Sequence, residues 1–369
     1  MRFTIRTRFI VAMAAMVVTS CGNGSADPSV TTEGEGSPSP SVSTSTVPIN
    51  QGTATRPVTL TLLTHDSFLV SEGILDTFKL ETGIEVDVLQ AGDAGAVVNQ
   101  AILTRDNPLA DVLYGVDNTF LSRARDAGIF DPYTSDAAPL RPELVADGVT
   151  PIDFGDVCLN YRIEALEERG LDPPSSLDDL LRPEYAGTLV VQNPLTSSPG
   201  LAFLLATIDT FGEDGWQDYW RGLFNNDVSV TSGWDEAYNG PFATGERPIV
   251  VSYASSPPAE VLFADTPTTT APTGVVTAGC YRQIEYAGVL AGTDHPSEAR
   301  QLIDFMVSRI FQEDIPLNMF VFPANAEAEL PAAFLEYTQL PDSPSMIPPD
   351  TVEANREVWL EAWNELFAA

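Results

Sequence analysis

Lysine is almost missing from this 369-residue chain: Lys79 is the only one, and 18 Lys and Arg face 52 Asp and Glu for a formal charge of −34. A surface so short of positive charge excludes nucleic acid and anionic lipid headgroups as primary partners. The acidity says less about a cationic ligand, because a uniformly acidic surface also serves solubility. Histidine is scarce too, with only His65 and His295, and the three cysteines, Cys21, Cys158 and Cys280, form no CxxC pair. That spacing argues against a metal site. The patterns G-x-S-x-G and H-E-x-x-H are also absent, so a secreted hydrolase lacks a recognisable nucleophile with a base in reach. Carboxylate pairs carry no weight where acids are this abundant. Adjacent tyrosines, the hard oxygen ligands a ferric-ion binder would use, are missing as well. No apolar run reaches the roughly twenty residues that span a bilayer.

What is present begins with a leader. Arg2, Arg6 and Arg8 precede an apolar run from Phe9 to Val18, and Val18-Thr19-Ser20-Cys21 follows. This reads as a secretory signal peptide over residues 1–20 with a lipobox, so that Cys21 carries lipid and tethers the protein to the outer face of the cytoplasmic membrane. Residues 21–55 are Ser, Thr, Pro and Gly with few large apolar side chains, a composition that predicts a disordered linker. The body that remains, residues 56–369, exceeds the ~250–300 residues at which single cores stop growing, which predicts two lobes. Cys158 and Cys280, far apart in an exported chain, read as a disulfide near the hinge, with two separate buried thiols as the alternative.

The body alternates strand and helix signals. Val58–Leu63, Ile84–Leu89 and Ala110–Tyr114 read as strands, each followed by a helical stretch, a pattern that predicts a parallel, doubly wound sheet. In such sheets ligands lie beyond the carboxyl ends of the strands. That places His65, Asp66, Ser67, Asp93, Asp117 and Asn118 at one edge, although Asp, Asn and Ser are also the favoured N-caps of the helices that follow. Pro151–Tyr161 reads as a strand crossing to a second lobe, Ser175–Leu181 as a helix, and Gln283–Leu290 as a return strand. Ser197 and Ser198 stand ahead of a proline-initiated helix, a place where hydroxyls and free N–H groups meet a phosphate or hydroxyl, or simply cap the helix. Trp234 and Tyr253 fall at strand ends facing the same edge, and an indole in a polar turn has little packing reason to be there. Trp359 and Trp363 lie on the apolar face of a closing helix over Val352–Phe367.

Five collinear segments carry a resemblance. His65-Asp66-Ser67-Phe68, Ala110 to Asn118, Thr196-Ser197-Ser198-Pro199-Gly200, Gly233-Trp234-Asp235-Glu236-Ala237-Tyr238 and Ser252-Tyr253-Ala254-Ser255-Ser256-Pro257 closely resemble the thiamine-binding lipoproteins and periplasmic proteins of ABC importers. The resemblance implies an α/β, two-lobed periplasmic-binding-protein (type 2) fold, with mixed, mostly parallel sheets flanked by helices and discontinuous lobes joined by hinge strands. Its boundaries would be 56–155 plus 286–340 for the first lobe, 156–285 for the second, and 341–369 for a helix closing the body. It implies thiamine, or its mono- or diphosphate, as cargo, with ABC permease and ATPase subunits as partners, no enzyme activity, no cofactor and a monomeric state. The cleft would be lined by His65, Asp66, Ser67, Asp93, Asp117, Asn118, Ser197, Ser198, Trp234, Tyr238, Tyr253 and Phe320. The chain departs from the family pattern at His65, Glu72 and Met319-Phe320-Val321-Phe322-Pro323. A cationic thiazolium suits such a cleft, since aromatic faces hold cations at ~0.5–2 kcal/mol each.

Overall fold

The computed structural model describes residues 58–264 and 266–369. The leader, Cys21 and the Ser/Thr/Pro segment lie outside the described residues. The chain first builds β1 (Thr59–Thr64), α1 (Ile74–Thr82), β2 (Glu85–Gln90), α2 (Ala94–Leu103), β3 (Val112–Asp117), α3 (Leu121–Asp126) and the short β4 (Phe130–Asp131). A long strand β5 (Thr150–Arg162) then leads through α4 (Ile163–Glu167) into β6 (Leu189–Gln192), α5 (Ser198–Phe211), α6 (Trp216–Asn225), β7 (Ser229–Thr231), α7 (Trp234–Ala237), β8 (Ile249–Tyr253) and α8 (Pro257–Leu262). The longest strand, β9 (Thr273–Leu290), returns, and α9 (Pro296–Met306), α10 (Arg309–Asn318), β10 (Phe322–Pro323), α11 (Ala332–Tyr337) and α12 (Pro349–Ala368) complete the body.

Among the described residues these strands form one sheet in the order β2-β1-β3-β9-β5-β8-β6-β7, with β4 on β9 and β10 on β5. The two flanks are parallel: β1 pairs with β2 and β3, and β6 with β7 and β8. Parallel strands need both faces covered. Accordingly every residue of β3 and of β6 is buried. In the middle β5 and β9 run antiparallel, from Thr150 opposite Ala287 to Arg162 opposite Thr273, and each pairs with one flank. Both flanks therefore hang on this two-stranded ribbon.

Side-chain alternation sorts the core. Leu60, Leu62, Val112 and Tyr114 face Leu302, Ile303 and Phe311 of α9 and α10, whereas Leu63, Leu113 and Val116 join a larger core with Val97 and Val98 of α2 and with α5. Residues 198–208 of α5 are buried throughout, as a helix apolar on all sides must be. Trp359 and Trp363 are buried on α12, and Trp363 meets Trp220 edge-to-face with centroids 5.4 Å apart. α12 packs against both α6 and α3.

Cys158 and Cys280 are joined as a disulfide between β5 and β9. It sits where the ladder shifts register, with Val157 opposite Tyr281 but Leu159 opposite Val276. The expected helix over 175–181 shrinks to a 3-10 turn at Asp178–Leu181. The Asp179 carboxylate accepts from Ser175 N at 2.8 Å and Ser175 Oγ at 2.7 Å, so side-chain bonds compete with helix growth.

Candidate functional site

The carboxyl ends of β1 and β3 and the middle of the β5–β9 ribbon enclose a group of buried polar side chains. His65 follows β1 and lies against Gly115, whose φ of +96° and lack of a side chain are both needed: a Cβ there would stand 2.3 Å from His65 Cδ2. The imidazole Nε2 is 3.6 Å from Glu285 Oε2. Glu285 also accepts from the Tyr114 hydroxyl at 3.2 Å and from Gln283 Nε2 at 3.2 Å. Tyr114 makes its shortest contact with the Asp153 carboxyl.

Burial pushes Asp153 well above the ordinary carboxyl range, and Glu285 pushes it the same way. Burial alone would raise Glu285 too, but the charge of the nearby His65, with Tyr114 and Asp153, turns the net shift downward. The same pairing lifts His65 above its ordinary value, against the burial that would lower it. The two neighbouring carboxyl groups are thereby pushed apart, Asp153 toward its protonated form and Glu285, beside His65, toward its charged form.

Tyr253, half-buried at the end of β8, stands over this group and donates to Gln283 Oε1 at 3.3 Å. Burial, and after it the nearby carboxyl groups with Glu285 foremost, hold its phenol well above the usual range. Gly155 leaves room for the ring, since a Cβ there would lie 2.7 Å from Tyr253 Cδ1. Asp117 ends β3 and closes the turn that precedes α3: one oxygen accepts from Thr119 N at 2.9 Å, Thr119 Oγ1 at 2.6 Å and Phe120 N at 3.0 Å. Its other oxygen is buried without a partner. Burial raises this carboxyl to about 6, against the opposing pull of Ser198 and Thr119.

On the same flank, Asp93 caps α2 by accepting from Ala94 N at 2.7 Å, and it reaches across the junction to accept from Trp234 N at 3.0 Å. Trp234 is half-buried, stacks on Tyr238 and donates its indole N–H to Ser252 Oγ at 2.9 Å, which in turn meets Ser256 Oγ at 2.8 Å. The expectation that this indole lacks packing partners is thus corrected: Tyr238 covers one face, and the serine pair fixes the ring plane. Ser197 and Ser198 are buried at the start of α5.

The remaining expected residues lie elsewhere or do other work. Asp66 and Ser67 are exposed, and Asp66 accepts from Gly92 N at 2.8 Å, bracing the β1 and β2 turns together. Asn118 is tied to β9 at both ends of its amide, donating to Arg282 O and accepting from Ile284 N. Tyr238 is buried beneath Trp234 and donates to Glu260. The Phe320 ring packs with Phe263 and Phe334, its φ is +56°, and its carbonyl accepts from Ser255 Oγ at 2.5 Å. A cavity of about 260 Å³ beside α3 and α12 shares only Asn118 with the expected residues.

Sequence reasoning passed over Tyr114, Asp153 and Glu285. The signal was there: an acid inside an otherwise apolar strand, as in Pro151-Ile152-Asp153-Phe154 or Ile284-Glu285-Tyr286, is costly to bury unless it is paired.

Two parallel flanks on a long antiparallel ribbon, with polar and aromatic side chains gathered at their junction, define a periplasmic-type binding protein, which holds a solute rather than transforming it. Residues 107–342 match the family of bacterial extracellular solute-binding proteins, and the chain belongs to that family. The thiamine-binding periplasmic protein of Brucella suis biovar 1 (strain 1330) is 33% identical over 313 residues, covering 83% of this chain and 91% of that one. Its counterpart from Escherichia coli (strain K12) is 32% identical over 314 residues, covering 84% and 93%. The solved structure of a periplasmic thiamin binding protein superposes with a TM-score of 0.76 at 29% identity, over 84% of this chain and 96% of that one.

Proposed function

We propose that this chain captures thiamine, or a phosphate ester of it, outside the cytoplasm and delivers it to an ABC permease driven by an ATPase subunit. The observation that carries the reading is the setting of Tyr253: an aromatic ring whose hydroxyl donates to Gln283, which donates in turn to Glu285, with His65 3.6 Å from the same carboxylate. A thiazolium is a permanent cation on an aromatic ring, so it gains from ring faces and from negative charge together. In this reading Ser197 and Ser198, at the start of α5, meet its hydroxyethyl end. The names of the relatives at 32–33% identity support the same cargo.

In this reading the halves at residues 56–155 with 286–340 and at 156–285 are lobes that close by bending of β5 and β9, and 341–369 closes the body. Acylated Cys21 keeps the protein, acting as a monomer, on the outer face of the membrane. Calorimetric titration with thiamine and with its mono- and diphosphate tests the cargo. Saturable binding of at least one is expected, and binding of none would overturn the reading. Labelling cells with a palmitate analogue tests the anchor, with Cys21→Ser expected to lose the label.

A further inference from the structure

Side chains alternate along a strand, and β9 uses both of its faces for polar work. Glu285 meets His65 and Tyr114 on one face. Its neighbours Ile284 and Tyr286 line the cavity of about 260 Å³ beside α3 and α12. Leu121 of α3 adds to the apolar wall, and Met346 and Pro349, just ahead of and at the start of α12, close over it. The cavity is thus separate from the cluster around His65 and shares a strand with it.

The charged groups at this cavity are unbalanced. Asp126, Glu143, Asp350 and Glu353 reach it against one guanidinium, Arg125. Arg125 donates to the Asp147 carbonyl rather than to any of these acids. The Asp126 and Glu353 carboxyl groups lie so close that the hydrogen bond and charge of Asp126 raise Glu353. Like charges gathered around one cavity repel, and a cation entering among them relieves the repulsion. No three carboxyl, imidazole or thiol groups among the described residues come together as a metal ion would need, so the cation that fits must be held by its body as well as its charge.

Tyr286 supplies an independent sign of an occupant. It is 3% exposed, and its hydroxyl makes no hydrogen bond to any described residue. Buried hydroxyls ordinarily have partners. Burial raises this phenol while the charge of Arg125, a group on the cavity wall, pulls the other way, which puts the hydroxyl on the cavity side.

We propose that this cavity is a second binding site, for a small organic cation with an apolar body. The charged head sits among Asp126, Asp350 and Glu353, the body lies over Leu121, Ile284 and Met346, and the Tyr286 hydroxyl meets a polar group at the inner end. The site goes beyond the cargo reading above and does not depend on it.

Calorimetric titration with 2-phenylethylamine tests it, beside 2-phenylethanol, the same body without the charge, and methylammonium, the charge without the body. The amine is expected to bind at least tenfold tighter than either control. Asp126→Asn with Glu353→Gln should weaken it at least tenfold, and Tyr286→Phe about threefold. Asp126 and Glu353 are exposed, and Tyr286→Phe removes a hydroxyl that bonds to nothing in the fold, so neither variant should lower the unfolding free energy. That separates a binding role from a structural one. An amine also suits the cleft proposed above, so binding that both variants leave unchanged belongs there or to the acidic surface at large and overturns the inference. An alcohol or methylammonium that binds as tightly as the amine overturns it too, as does the absence of saturable binding up to ~10 mM. Failure of the cargo reading leaves this test intact, because its variants lie outside the cleft residues.

Discussion

The Trp234 ring lies on the Tyr238 ring, with centroids 4.8 Å apart and planes 19° from parallel. Tyr238 is buried and Trp234 half-buried, so the pair is a fixed platform with its outer ring toward the junction. Trp234→Ala should raise the dissociation constant for thiamine about thirtyfold, from the loss of a cation–π contact approaching ~2 kcal/mol. It should also lower stability by about 1–2 kcal/mol, the worth of the stack and its burial. Trp234→Phe keeps a face but loses the bond to Ser252 Oγ, and should fall between the two. Titration and urea unfolding on the same samples check this. An affinity unchanged in folded Trp234→Ala would remove the ring from the site.

Much of the scaffold was legible in the sequence because it rests on local signals. The strand–helix alternation through residue 128, the crossing strand at 151–161, the return strand and the two packing tryptophans of the last helix all follow from periodicity and punctuation. Asp93, Ser197, Trp234 and Tyr253 could be proposed as candidates for the same reason, since strand-end loops converge by topology. The centre of the cluster was not legible. Asp153 and Glu285 are 132 positions apart by their numbers, and only the β5–β9 register, which puts Asp153 opposite Glu285, brings them to Tyr114 and His65. Nor was the packing of Phe320 legible, whose ring lies with Phe263 and Phe334 on a backbone of positive φ.

The disulfide should matter for persistence more than for recognition. Cys158 and Cys280 are separated by 122 positions, and closing a loop of that size restricts the unfolded chain by an amount worth ~2–5 kcal/mol. Cys158→Ser with Cys280→Ser should lower the unfolding free energy by about that much, while thiamine affinity changes less than threefold. Alkylation of the unreduced body, followed by mass spectrometry, should find both thiols blocked from labelling. Free thiols at both positions would contradict the pairing.

Asp117 makes stability depend on pH in a definite direction. Burial raises its carboxyl from an ordinary 3.8 to about 6, so the fold favours the protonated form. Its contribution is fully present below about pH 4 and is lost as pH rises through about 6. A shift of about two units corresponds to ~3 kcal/mol. Asp117→Asn keeps an oxygen to accept from Thr119 and Phe120 but does not titrate. The stability of the wild type relative to this variant should therefore fall by up to ~3 kcal/mol between pH 4 and pH 7. Denaturant unfolding of both proteins across that range measures it, and a constant difference would show that Asp117 ionises without cost in the fold.

His65 and Glu285 provide a sharper test of the buried charges. Burial by itself would lower the imidazole, and the ion pair with Glu285, aided by Asp93 and Asp66, reverses that and raises it. Glu285→Gln leaves an acceptor for the Tyr114 hydroxyl but removes the largest opposing charge, so burial should then prevail. With two histidines in the chain, a His65→Gln sample assigns the His65 resonance in an NMR titration. Its midpoint should lie above the ordinary 6.5 in the wild type and below 6.5 in Glu285→Gln. The sign for stability follows: a raised imidazole stabilises the fold fully below its unfolded value, and the contribution is lost as pH rises through the folded one. The wild type should accordingly lose stability against Glu285→Gln as pH climbs above 6.5. Thiamine affinity should drop about tenfold in the variant, as a negative charge near the bound cation is lost. A wild-type His65 titrating below 6.5 would mean that burial, not Glu285, governs the imidazole, and the charge assignment at the centre of the site would have to be reversed.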